Sequence, residues 1–203
     1  SDIDLSTKGE TGIKASLSPH ADSKLTIETG SLTTGTGKTG IEINGRTASD
    51  PGINNKKTTA EVKTTLGKTE GTGVAVTGEA YNDIRVSLND SSAKDSSKAV
   101  ISERGVYIES GEIDGTTTVN VNQSNLQVAE GGKLVQIAYD TAGEVNINVN
   151  QNVELLGTGN LIEVGAFAET TTVDINKDIT ITGSGNIVKA GAIASGKLNV
   201  NLN

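Results

Sequence analysis

The chemically capable side chains of this 203-residue chain are few, and their spacing limits what they could do. Its one histidine, His20, sits in the polar run Ser18-Pro-His-Ala-Asp-Ser23, and any Ser-His-Asp relay would rest on it alone. It reads as an inert surface residue. Gly183-Ser-Gly185 follows Thr182, so its glycines are one residue out of place for a G-x-S-x-G nucleophile elbow. Gly37-Lys38-Thr39 and Gly67-Lys68-Thr69 match the end of a phosphate-binding loop. The earlier glycine that such a loop needs is Leu32 in one case and Val62 in the other, and no helical pattern follows, so both read as turns. There is no Cys, no H-E-x-x-H and no calcium-loop signature, so neither a metal nor a cofactor is expected. Asp140, Asp174 and Asp178 are scattered, and arginine occurs only at 46, 85 and 104. A lyase or hydrolase would need acidic and basic groups clustered together. The expectation is a protein that is not an enzyme.

Composition dictates what must position the remaining side chains. Only 33% of residues are apolar and 2% aromatic, against 25 Gly. A compact domain of this length would be about 45–50% apolar. Yet the Val, Ile and Leu alternate with polar residues and only 21% of residues are charged, which does not suit simple disorder. An elongated repeat fold with a thin core resolves the conflict. The net charge of −8 is the opposite of a nucleic-acid footprint, so no nucleic-acid partner is expected. No stretch approaches the roughly 20 apolar residues of a membrane helix.

The repeat itself is visible. TTTVNVN from Thr116, GEVNINVN from Gly143, TTTVDIN from Thr170 and GKLNVNLN from Gly196 begin successive units. Their first apolar residues, Val119, Val145, Val173 and Leu198, step by 26, 28 and 25 residues. Each unit then passes a small-residue turn and an apolar pair: Leu134-Val135, Leu161-Ile162 and Ile187-Val188. Alternation such as V-N-I-N-V-N puts Val and Ile on one face of a strand and Asn on the other. Asn, Gly, Thr and Val are poor helix formers. Two or three short strands per unit suit one coil of a right-handed parallel β-helix, with Val119, Val145 and Val173 in one internal ladder. From Leu5 onward this predicts about seven coils of roughly 27 residues in one domain spanning 1–203, irregular over 1–115 and regular over 116–203. A β-sandwich is the second choice, because it does not explain a turn and strand that recur together.

The irregular half supplies the candidate site. The interval from mid-unit anchor to the next unit's first strand is 11 or 12 residues in the regular coils, but 21 from Ile41 to Val62 and 19 from Val100 to Val119. Insertions in solenoids emerge from one face, often the binding face. The two long arms, 44–59 and 102–117, are therefore expected to share a corner about 10 Å apart. Their binding candidates are Arg46, Asp50, Lys56 and Lys57 in the first arm, and Glu103, Arg104 and Tyr107 in the second. Tyr81, Tyr107, Tyr139 and Phe167 each fall late in a unit, and the expectation is that they stack internally to fill a sparse core.

V-N-V-N and T-T-T-V strands, G-T-G and G-S-G turns, absent Cys and an acidic balance together resemble the passenger region of a Gram-negative type V autotransporter. The resemblance spans most of the chain and is strongest over 116–203. It implies a β-helix exported to the cell surface, commonly as an adhesin for a host or bacterial surface protein or glycan. It also implies tethering through a C-terminal barrel that is not in this sequence. The chain lacks an initiating Met and a signal peptide and stops inside an alternating pattern at Asn203, as expected of a piece of a longer passenger. The serine-protease motif of some members is missing, and the family offers no adhesive motif to carry over. A purely structural stalk is the alternative. An ice-templating solenoid ranks third, because the triplets at 116–118 and 170–172 lack a regular T-x-T array.

Overall fold

The computed structural model describes residues 2–5, 10–17, 24–45, 59–78, 83–90, 98–110, 115–138, 143–165, 170–191 and 196–203. These residues contain no helix, and every strand pairing among them is parallel. The chain is a parallel β-solenoid. Each coil crosses three faces in turn. The first face is a seven-stranded sheet running from Thr11–Ser16 through Thr39–Asn44, Thr72–Gly78, Arg104–Ser110, Lys133–Ile137 and Asn160–Val164 to Val188–Ala190. The second contains Asp83–Leu88, Thr116–Val121, Glu144–Val149, Thr170–Ile175 and Lys197–Leu202, and the third contains Ala99–Ile101, Leu126–Val128, Val153–Gly157 and Ile179–Gly183. Two long strands, Lys24–Thr34 and Thr59–Thr69, run from the second face into the third and fuse them into one twelve-stranded sheet.

The stack amounts to about five turns, fewer than the seven expected.

Strand alternation builds the core as the sequence implies. Along Thr116–Val121 and Glu144–Val149, buried residues alternate with half-exposed ones, and Val119, Val121, Ile147 and Val149 are fully buried. Each such side chain contributes about 1.5–3 kcal/mol by leaving water. The ladder is one step out from the expected one, however. Val119 pairs with Val86 and Ile147, and Ile147 with Val173, so the column runs Ile27, Val62, Val86, Val119, Ile147, Val173, Val200. Val145 stands beside Thr117 and Thr171 instead. The cause is that Thr117 and Thr171 occupy an inward position and are buried. The first apolar residue of a T-T-T-V unit is therefore its second inward residue. A slip of two residues keeps every side chain on its own face.

Along the true column the steps are 35, 24, 33, 28, 26 and 27 residues, so two coils are indeed long. Their extra residues fall in different connections. Segment 46–58 joins the first face to the second, whereas 91–97 joins the second to the third. The stretch 102–117 is not an arm: Arg104–Ser110 is a regular strand of the first face, with Val106 level with Val74 and Val135. Val100, which resembles Leu134 in following a polar turn, belongs to the third face beside Gln127. Gly67-Lys68-Thr69 likewise lies at the end of a strand rather than in a turn, while Gly37, with φ 70°, is a turn residue as expected.

Outside, the Asn residues form hydrogen-bonded columns. The side-chain amide of Asn203 donates to Asn176, Asn176 to Asn150, Asn150 to Asn122 and Asn122 to Asn89, at 2.8, 2.8, 2.9 and 3.2 Å. Every amide of this column points the same way along the stack, so Asn176, Asn150 and Asn122 each both donate and accept.

Candidate functional site

The outward side of the second face changes character along its length. In the regular coils it is mostly Asn and Thr, with Glu144, Asp174 and Lys197 among them. Toward the other end it becomes charged, because strands of unrelated sequence bring two mixed columns together. One column holds Lys24, Thr59 and Asp83 and continues to Thr116, whose backbone N–H donates to the Asp83 carboxylate at 3.2 Å. The other holds Thr26, Glu61, Arg85 and Thr118. Between them opens a cavity of about 420 Å³. Alternation forces these residues outward, since Ala60, Val62, Ile84 and Val86 between them are buried.

Glu61 is the electrostatic centre of this group. Its carboxylate pairs with Lys24 Nζ at 3.2 Å and with Lys63 Nζ at 3.6 Å. The hydrogen bond from Lys24 is the largest influence, and together with Lys63 it holds the Glu61 carboxyl below its usual 4.5 against the opposing effect of burial. With both oxygens of Glu61 engaged, Arg85 has no carboxylate within ion-pair distance among the described residues. Arg85 is exposed.

The residues singled out from the sequence lie elsewhere. Glu103, Arg104 and Tyr107 form a self-contained cluster on the first face. Arg104 pairs with Glu103 at 3.3 Å and lies 4.6 Å from the centre of the Tyr107 ring, a cation–π contact. The Tyr107 hydroxyl donates to Glu109 at 2.9 Å. Burial and then the Glu109 carboxylate push the phenol's pKa upward. Tyr107 sits level with Ala75 and Gln136 in a column that alternates with the buried Val106 and Ile108. It therefore faces outward rather than filling the core. Tyr81, Tyr139, Phe167, His20 and the first-arm candidates Arg46, Asp50, Lys56 and Lys57 fall outside the described residues. The segment bearing those four rejoins the described chain at Thr59, which lines the cavity.

A second charged column occupies the third face. Lys98 Nζ reaches Glu154 at 2.6 Å and the Gln127 amide donates to the same oxygen at 2.8 Å, so one carboxylate ties three successive coils. Those two bonds lower the Glu154 pKa, Lys98 more than Gln127. Among the described residues no three His, Cys, Asp or Glu side chains are grouped to hold a metal ion.

The Glu61–Arg85 cavity was missed from the sequence because Lys24, Glu61, Arg85 and Thr118 share no motif. The one available signal is the density of outward charge in Glu61-Val-Lys63 and Asp83-Ile-Arg85, where regular coils carry mostly Asn and Thr. Comparison with protein families, with curated proteins and with solved structures finds no match. The class defined by the fold alone is the parallel β-solenoid.

Proposed function

We propose that this chain is an adhesive segment of a surface-displayed, autotransporter-type passenger, binding a protein or glycan on a host or bacterial surface. The observation that supports this most is the position of the mixed-charge cavity. It lies on a fully paired sheet face and includes Thr59, the first described residue after segment 46–58. Binding groups mounted on a rigid scaffold next to a long connection are the usual arrangement of a recognition surface. No catalytic role is assigned to the group, because its carboxylates are engaged by lysines and by backbone rather than poised as acid and base.

The chain added to cells should compete with adhesion by the whole bacterium. Replacing Ala48–Lys57 by a short Gly-Ser turn should leave β-structure unchanged by circular dichroism and weaken that competition. A folded deletion variant that competes as well as the parent would remove the segment from the binding surface.

A structural stalk is the second reading, favoured by the Asn columns. Along the regular coils these amides spend their donors on one another, leaving a uniform surface with little to offer a ligand. A chain that folds but neither binds cells nor competes would favour the stalk.

A further inference from the structure

Resting on the adhesive reading, we infer that the cavity on the second face binds the carboxylate of an acidic sugar residue, and that Arg85 is the group that receives it. The cavity lining carries two cations, Lys24 and Arg85, and two carboxylates, Glu61 and Asp83. Lys24 is committed to Glu61, which Lys63 also reaches from outside the lining. Arg85 is thus the lining cation with no carboxylate within ion-pair distance among the described residues. A guanidinium presents two parallel N–H donors that match a carboxylate, which a lysine cannot do.

The surroundings of Arg85 select for a sugar rather than another anion. Thr118 is its immediate neighbour in the column, about 4.8 Å along the stack, and Thr116 lies beside it. Hydroxyls both donate and accept, as the hydroxyls of a sugar ring require. The volume of about 420 Å³ falls within the range of small-ligand sites. An acidic peptide fits less well. Extended peptides bind by adding to a free sheet edge, and the strands beneath this cavity are paired on both sides.

The test is a titration of isotope-labelled chain followed by amide chemical shifts, with D-glucuronic acid and N-acetylneuraminic acid as probes. Glucose serves as the neutral control and tetraglutamate as the acidic non-sugar control. Both acidic sugars should shift the amides of Arg85, Thr116 and Thr118 at concentrations where glucose does not. Arg85→Gln, at an exposed site, should weaken this binding by about tenfold or more, and Arg85→Lys, which keeps charge but not the fork, should fall between. Equal binding of glucose, undiminished binding by Arg85→Gln, or equal shifts with tetraglutamate would each overturn the inference. Cell binding separates it from the reading on which it rests. Adhesion that Arg85→Gln leaves intact would overturn the acidic-sugar site alone, whereas acidic-sugar binding at Arg85 without adhesion would sink only the adhesive reading.

Discussion

The side-chain amide of Gln123 closes on the backbone of Leu66, accepting its N–H and donating to its C=O, both at 2.7 Å. The two residues belong to coils two levels apart. In the intervening coil the described residues run to Asp90 and resume at Lys98. Gln123 is only 3% exposed, and its amide satisfies both peptide groups of Leu66 as a neighbouring strand would.

Gln123→Ala should therefore orphan both Leu66 groups and lower stability by about 2–4 kcal/mol, read from the urea midpoint. Gln123→Glu keeps an acceptor, loses the donor and buries a charge, so it should be at least as damaging. A near-neutral alanine variant would show that water replaces the amide without loss.

Ile147 and Asn148 are adjacent but should respond very unequally to substitution. Ile147 is fully buried, so Ile147→Asp should cost several kcal/mol, because the charge must be protonated or the coil must open. Asn148 faces outward and donates to Asn120 at 2.9 Å, so Asn148→Ser should cost about 0.5–1 kcal/mol. Equal shifts of the unfolding midpoint would contradict the inside and outside assignment.

Two glycines should separate close packing from backbone conformation. A Cβ at Gly73 would stand 2.6 Å from the Gly105 carbonyl oxygen and 2.7 Å from Leu66 Cδ2, both in the stacked interior. Gly73→Ala should cost more than about 2 kcal/mol, because neighbouring coils must move apart. Gly37 has open space around it but φ 70°, so Gly37→Ala should cost only about 1 kcal/mol. Thermal melts of the two variants give the order.

Acid should weaken the stack through Glu61 and Glu154. Both carboxyls are held below their usual 4.5 in the folded chain. Their contribution is thus complete above that value and is lost as pH falls through the lower folded values. The melting temperature should decline on acidification below about pH 4.5. Glu61→Gln and Glu154→Gln should each flatten that decline while lowering stability at neutral pH. Because both pairs are at the surface, salt should reduce the effect. A double variant with the parent's acid profile would assign the decline to other carboxylates.

What the sequence determined by itself is the direction of each side chain. Alternation in Val145-Asn-Ile147-Asn-Val149 sends Val and Ile inward whatever lies above or below, because a strand has period two. Its composition likewise demanded a thin stacked core. Only the tertiary structure decided which residues share a level. Thr117 and Thr171 take inward places that Val145 takes in the coil between them, so apolar residues alone leave the register open by two. The same freedom let Val100 stand in for Leu134 and made the strand Arg104–Ser110 look like part of an arm. The cavity was beyond any local reading, since Lys24, Glu61, Arg85 and Thr118 meet only because successive coils stack one strand spacing apart. Backbone pairing between coils sets that meeting, and backbone pairing carries no side-chain signature.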